Sequence, residues 1–405
     1  MPKLDKSRKD IVAEILTRNT ADVIERKSLL SKLQSGRKLR IKLGADPTSP
    51  DLHLGHAVVL RALRKLQDTG HTIVFIIGDF TAMIGDPSGR SAARRALSGQ
   101  EIKKNAKTYF QQVGRVLNLK KTEVHYNSMW LSKLGWGKVL ELNALFTVSR
   151  ILERDDFKNR LGSGNEVWMH ELQYPILQAY DSVAIKADIE VGGTDQLFNL
   201  LVGRHLMERL GLAGQDVITF EILPGLDGKE KMSKSLGNYI ALTDSPEKMF
   251  GKVMSLPDSA IPVYFKLATE RAMADIRTIE RRIEGGENPR DVKIELAREI
   301  VSLYHGGAAA EKARAEFVRV FSKKELPREM DEREMKPGSY EAAALLLDLG
   351  LSKSRSEAWR LILAGAVEVT PHRGVSQKVM NPRELVPVSP DTVIRVGRMR
   401  FIRIR

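Results

Sequence analysis

Two apolar runs flanking one amphipathic stretch constrain this chain more than any other feature. Leu39-Arg-Ile-Lys-Leu-Gly44 reads as a strand running into a loop at Gly44, and Thr72-Ile-Val-Phe-Ile-Ile-Gly78 is a short continuous apolar run of the kind a buried parallel strand requires. Between them, His53 to Asp68 has helical periodicity. Val58, Val59, Ala62, Leu63 and Leu66 share one face, and Gly70 stands where a helix C-cap is expected. Strand, helix and strand in about 40 residues make a βαβ unit, so the expected fold is α/β with an open parallel sheet.

The remainder arranges itself around that unit. Residues 98–165 read as mostly helical and charged, as in Glu101 to Leu117 and Val139 to Phe157, and are expected to be a helical insertion between two halves of the sheet. A helix from Met169 to Ala184, a strand from Ile185 to Val191 and a helix from Thr194 to Leu210 follow. The expected organisation is a Rossmann-like catalytic domain over 1–240 and an α-helical domain over 241–325, where Arg271 to Ile283 and Val292 to Tyr304 are amphipathic. A charged linker over 326–339, with Pro327 and Pro337, and a small α+β module over 340–405 complete the chain.

The chain has 405 residues, enough for two to four domains. Its 65 Lys plus Arg against 51 Asp plus Glu give a formal charge of +14, which suits a polyanionic partner, nucleic acid first, or merely a solvated surface. The absence of cysteine excludes disulfides, thiolate zinc sites and catalytic thiols. Met1 to Thr20 is charged and lacks the apolar run of a signal peptide, and no stretch of 18 apolar residues exists, so a cytoplasmic protein without a membrane partner is expected.

Two motifs carry chemistry. Asp46-Pro-Thr48-Ser-Pro-Asp51-Leu-His53-Leu-Gly55-His56 opens the first helix, placing two imidazoles at i and i+3 on its first turn. A helix start attracts anions, two histidines there can donate to phosphate oxygens, Thr48 adds a hydroxyl, and Gly55 lets a nucleotide approach the backbone. Lys231-Met-Ser-Lys234-Ser235, preceded by Gly225-Leu-Asp-Gly228, puts two lysines and two hydroxyls on a glycine-flanked loop able to close over pyrophosphate. Taken singly, each has a plainer reading as surface histidines or a solvated turn. Further on, Tyr174, Gln178 and Asp181 fall at i, i+4 and i+7 on one helical stripe, able either to line a pocket or to pack a core, and Gly192-Gly193-Thr194-Asp195-Gln196 is a glycine-rich strand-to-helix turn.

His53-Leu-Gly55-His56 and Lys231-Met-Ser-Lys-Ser235, in this order and on this sheet, resemble the two signatures of the class I aminoacyl-tRNA synthetases. The Tyr174 stripe and the Gly192 turn resemble the tyrosyl-tRNA synthetase family. That resemblance implies that Asp181 receives the substrate phenol, that Tyr174, Gln178 and Asp86 hold the α-ammonium, that Asp195 binds ribose, and that Gln196 lies at the carboxylate. Thr48, His53, His56, Lys231 and Lys234 would be the catalytic set, with Asp46, Gly55, Gly192, Asp195, Lys234 and Ser235 around ATP. Gly78-Asp79-Phe-Thr-Ala-Met-Ile-Gly-Asp86-Pro-Ser-Gly-Arg90 resembles the family's loop after the second strand, with Arg90 on the phosphate or acceptor-stem side. One departure stands out: many members carry a phenol-contacting tyrosine where this chain has Lys42, as in a bacterial subgroup, and Lys42 has no role assigned.

Leu347 to Val369 resembles the S4 RNA-binding fold, and residues 340–405 carry 11 Lys plus Arg against 6 Asp plus Glu. Lys353, Arg355 and Arg360 would meet RNA phosphates. The resemblance implies a tyrosine–tRNA ligase that uses ATP with Mg²⁺ and no protein-held metal, tRNA(Tyr) as partner with no DNA, and a homodimer formed through residues 110–170. The alternatives weighed are a tryptophanyl-tRNA synthetase, a non-catalytic RNA-binding protein on a synthetase scaffold, and a ligase using the same adenylate chemistry without tRNA.

Overall fold

The computed structural model describes residues 6–48, 50–88, 98–322, 326, 330–372, 374–397 and 400–405. Its chain divides into two compact units, Met1–Ala310 and Glu311–Arg405.

The first unit is built on a six-stranded sheet of β1 (Thr20–Ile24), β2 (Arg40–Ala45), β3 (Thr72–Ile77), β4 (Thr122–Tyr126), β5 (Ile189–Gly193) and β6 (Asp216–Phe220). The strand order is β1-β6-β5-β2-β3-β4, parallel throughout except for β1, which runs antiparallel to β6. All six residues of β3 are buried, as a strand covered on both faces demands. The helix Leu54–Asp68 packs Val58, Val59, Ala62, Leu63 and Leu66 into the core and ends before Gly70, whose φ of 102° only glycine adopts without strain. Helices Met169–Ile185 and Leu197–Arg209 pack along each other, and Leu142, Ile151 and Phe157 from the preceding segment join Ile176, Ala179, Val202 and Leu206 in one cluster.

The order of the strands reverses between β2 and β5. Their pairing comprises Ile41 with Ile189 and Lys42 with Glu190. Beyond that point β2 stays bonded to β3 as far as Ala45, and β5 to β6 as far as Gly193. The two strands thus part at their carboxyl ends and leave a crevice at the switch point, where open α/β sheets bind ligands.

Three expectations need correction, and two strands went unforeseen. The segment 98–165 is not wholly a helical insertion: β4 lies within it and extends the sheet beside β3. Thr-Glu-Val-His-Tyr is a half-exposed edge strand, and its mixed polarity hides it among charged helices. The strand expected at Ile185 begins instead at Ile189, because the preceding helix runs through Ile185 and stops at Lys186 in a left-handed conformation (φ 53°) without a glycine. Strands β1 and β6 were not anticipated. Finally, the stretch read as a linker contributes β7 (Asp331–Arg333) and β8 (Gly338–Glu341) to the second unit; Pro327 lies outside the described residues.

Residues 246–305, read as the head of a helical domain, form helices within the first unit, among them Met273–Glu284 and Pro289–His305. The second unit adds β9 (Val367–Thr370), β10 (Gln377–Val379), β11 (Leu385–Val388), β12 (Val393–Val396) and β13 (Arg400–Ile404). Its sheets run β10-β9-β12-β13-β7 and β11-β8, and helices Ala342–Asp348 and Arg355–Leu363 bury Leu345, Leu346 and Ile362 against Val367, Ile394 and Ile402.

Candidate active site

The crevice opens into a cleft of about 910 Å³ lined by the first-unit residues expected at the site: Asp46, Thr48, His53, Gly55, His56, Asp86, Tyr174, Gln178, Asp181, Gly192, Asp195, Gln196, Lys231, Lys234 and Ser235. Arg90 lies outside the described residues.

The helix start is set by its two histidines. His53 is the N-cap (φ −128°, ψ 173°), and its backbone N–H donates to His56 Nδ1 at 3.3 Å, with the rings 3.9 Å apart. Because Nδ1 of His56 accepts, its proton sits on Nε2. Burial pushes the His56 pKa down to about 4; His53 is also well below its usual range, through burial first and then the neighbouring His56 and Lys231. Both rings are therefore neutral at pH 7, and each offers one N–H. Gly55 has a purpose beyond nucleotide access, since a Cβ there would lie 3.0 Å from His53 Nδ1 and 3.1 Å from Cε1.

The lysine loop leans on the same helix start. His53 bridges Ala241, the Leu54 N–H donates to the Ile240 carbonyl at 3.0 Å, and the Met232 N–H donates to the Leu223 carbonyl at 3.0 Å. Asn238 shapes the turn: its Oδ1 accepts from the Ser233 N–H at 2.8 Å, and its Nδ2 donates to Asp227 Oδ2 at 2.8 Å. The lysines reach across the cleft to opposite carboxylates, Lys231 Nζ to Asp195 Oδ2 at 3.2 Å and Lys234 Nζ to Asp51 Oδ2 at 3.3 Å. Burial raises the Asp195 pKa, and Lys231 partly offsets it.

Behind them lies the acidic side chain of the Tyr174 stripe. Asp181 is 3% exposed; its Oδ1 accepts from Trp130 Nε1 at 2.8 Å and its Oδ2 from Asn127 Nδ2 at 3.3 Å. Burial lifts its pKa from 3.8 to about 6, against the opposing pull of Lys42 and these two donors. Tyr174 donates to Asp46 Oδ2 at 3.1 Å, while Thr81 donates to Asp46 Oδ1 at 2.7 Å. Asp86 instead joins Arg154 (3.3 Å), Ser88 and Gln196, whose Nε2 donates at 2.8 Å. Burial opposes its charge, but the guanidinium and these hydrogen bonds hold its pKa below the usual range. Gln178 keeps Oε1 buried and unpaired, an acceptor awaiting a donor. Asp79 accepts from the N–H and hydroxyl of Ser128 and so anchors the chain after β4.

Sequence reasoning missed Asn127, Trp130, Arg154, Glu190 and Asn238. Asn127 and Trp130 follow β4, so recognising that polar edge strand was the signal that could have found them. Arg154 was indistinguishable from the many surface arginines. In the second unit Lys353 and Arg355 flank the start of the helix Arg355–Leu363, Arg360 lies within it, and all three are exposed, with Arg355 3.6 Å from Glu341.

Residues 34–322 match the family model of class I tRNA synthetases (W and Y). A tyrosine–tRNA ligase of Thermotoga maritima is 48% identical over 392 residues, 96% of this chain and 96% of that protein, and one of Haemophilus influenzae is 46% identical over 395 residues, 98% and 96%. The fold is shared with the tyrosyl-tRNA synthetase of Archaeoglobus fulgidus complexed with L-tyrosine (TM-score 0.62, 24% identity, 76% of this chain and 99% of that one). It is shared also with a C-terminally truncated mitochondrial tyrosyl-tRNA synthetase of Aspergillus nidulans (TM-score 0.63, 23%, 78% and 95%). The family model spans both tryptophan and tyrosine enzymes, and these relatives do not favour the tryptophan alternative. With near-complete coverage by such relatives, and with the paired histidines, the double-lysine loop and the buried carboxylate meeting in one cleft, the chain belongs to the class I tyrosyl-tRNA synthetases.

Proposed function

We propose that the cleft carries out both halves of tRNA charging with tyrosine. This enzyme is a tyrosine–tRNA ligase, with tyrosine, ATP and tRNA as substrates. In the first step a tyrosine carboxylate oxygen attacks the α-phosphorus of ATP in line, a new P–O bond forms, and the bond to pyrophosphate breaks. In the second, a ribose hydroxyl of the terminal tRNA adenosine attacks the tyrosyl carbonyl and AMP leaves. Neither step needs a strong general base in this reading; positioning and charge stabilisation carry it.

His53 and His56, as neutral donors, together with Thr48, Lys231 and Lys234, would bind the transition state more tightly than ground-state ATP. The lysines must first leave Asp195 and Asp51, which frees Asp195 to accept from ribose, with Asp46, Gly55, Gly192 and Ser235 around the nucleotide. Asp181 takes the phenol O–H. Tyr174, Gln178 and Asp86 receive the ammonium, and Gln196 lies beside the carboxylate. Mg²⁺ is assigned to the substrate side, entering with ATP, and no residue of this chain is assigned to hold it.

Residues 241–325 and the basic second unit, S4-like and RNA-binding over 340–405, would contact tRNA, with Lys353, Arg355 and Arg360 on phosphates. A homodimer is assigned to residues 110–170, where Met129, Trp136, Val148, Trp168 and Met169 leave more than half of their surface exposed (51–74%). The cytosol is the assigned compartment, from the likeness to bacterial tyrosine–tRNA ligases. Among the described residues no helix is long and apolar enough to cross a membrane.

One observation carries this reading: Asp181 and both signature motifs line a single cleft at the switch point. The test is ATP–pyrophosphate exchange with each of the twenty amino acids, followed by charging of total tRNA. Exchange driven by tyrosine is the expected result; exchange driven by tryptophan, or by none, overturns it.

A further inference from the structure

We infer that Lys42 and Glu190 are a positioning pair for substrate selection: buried across the floor of the cleft, they orient the Gln178 amide so that its oxygen is offered to the amino group of the substrate. This rests on the proposed reading of the cleft as an amino-acid site.

The pair sits at a particular place in the sheet. Lys42 and Glu190 are register partners, the last before β2 and β5 part, so the crevice opens directly beyond them. Lys42 is 0% and Glu190 1% exposed, with Nζ 2.8 Å from Oε1. The three ammonium donors of Lys42 are matched by three acceptors: Glu190 Oε1, the Gln178 carbonyl at 2.9 Å and Ser182 Oγ at 2.7 Å. No donor remains for a ligand, so Lys42 does not replace the hydroxyl that a tyrosine would bring there. It acts through its neighbours.

Glu190 is equally engaged. It accepts from Lys42, from Ser182 Oγ at 3.0 Å, from Gln215 Nε2 and from Gln178 Nε2 at 3.4 Å. Gln178 is thus held twice, its backbone carbonyl by Lys42 and its amide nitrogen by Glu190. With the nitrogen on a carboxylate, the amide oxygen must face the other way, and it is the buried atom without a partner. Turning the amide over would set that oxygen against the Glu190 carboxylate. An ammonium group entering the cleft satisfies the orphan acceptor and makes a charge-assisted hydrogen bond. The positive charge of Lys42 also bears on Asp181, countering the burial that would otherwise neutralise it.

The test compares two ligands on the full-length protein: L-tyrosine and 3-(4-hydroxyphenyl)propionate, which lacks the amino group. Glu190→Gln should weaken tyrosine binding by about 10- to 100-fold, the usual worth of a hydrogen bond to a charged group, and leave the deamino analogue and the KM for ATP unchanged. In a Gln178→Ala background the same substitution should have no further effect on tyrosine. Should the single variant bury Lys42 unpaired and fail to fold, Lys42→Met/Glu190→Gln buries no lone charge; losing the Lys42 charge near Asp181 acts on both ligands alike, so the excess loss for tyrosine over the analogue is then the readout. Equal losses for both ligands, or a loss that persists without Gln178, overturn the pair's role. Absence of tyrosine-dependent exchange in the unmutated enzyme overturns instead the reading on which it rests.

Discussion

At the scale of single residues, burial decides which groups are charged. The two histidines are neutral at working pH, whereas Asp181 titrates at about 6. As pH falls through 6 its carboxylate gains a proton and turns from acceptor to donor, so kcat/KM for tyrosine should show an acid limb there that kcat/KM for ATP lacks; parallel profiles for both substrates would refute the assignment. The same shift has a stability sign. A folded pKa raised from 3.8 to about 6 contributes stability that is fully present below 3.8 and lost as pH rises through 6, so the ionised Asp181 weakens the fold at neutral pH. Asp181→Asn should therefore raise stability at pH 7.5 by on the order of 1–3 kcal/mol in urea melts while abolishing tyrosine activation, and the stability gain should vanish near pH 4. Lys234→Ala should slow adenylate formation with little change in tyrosine affinity, read from single-turnover kinetics and equilibrium binding. The histidines and loop lysines were legible from chemistry and spacing, whereas spacing only put Asp181 on a stripe and its phenol role came from the family resemblance. Lys42 and Glu190 were not legible, because what pairs them is the register of two strands distant in sequence.

At the scale of elements, the first βαβ unit could be read directly because its signals agree: a continuous apolar run, a 3.6-residue stripe and a glycine at the helix end. The edge strand β4 escaped because polarity on its open face imitates a helix surface, and β5 began late because a left-handed lysine, not a glycine, closes the helix before it. Close packing at the strand ends is as constraining as the motifs. A Cβ on Gly78 would overlap Asp46 Oδ1 and Thr81 Oγ1, breaking the hydrogen bond that steadies Asp46 for Tyr174. Gly78→Ala should cost about 1–3 kcal/mol in denaturant melts and raise the KM for both tyrosine and ATP; an unchanged melt would show that the loop accommodates the methyl group.

At the scale of the molecule, the amino-acid and nucleotide residues all belong to the first unit, and the exposed basic residues assigned to RNA belong to the second. A chain ending at Ser322 should retain tyrosine-dependent pyrophosphate exchange and lose charging, and exchange lost together with charging would contradict this division. In the full chain, removing Lys353, Arg355 or Arg360 should lower the slope of log affinity for tRNA against log salt by about 1 for each phosphate that is no longer neutralised. The lysine loop has one further consequence. Its roots are stitched down at the Leu223 and Ile240 carbonyls, and Asn238 grips the Ser233 N–H from within, so the stretch between these ties is short, Lys234 to Gly237. Pyrophosphate leaving the proposed site would pass beneath this short span, moored at either side.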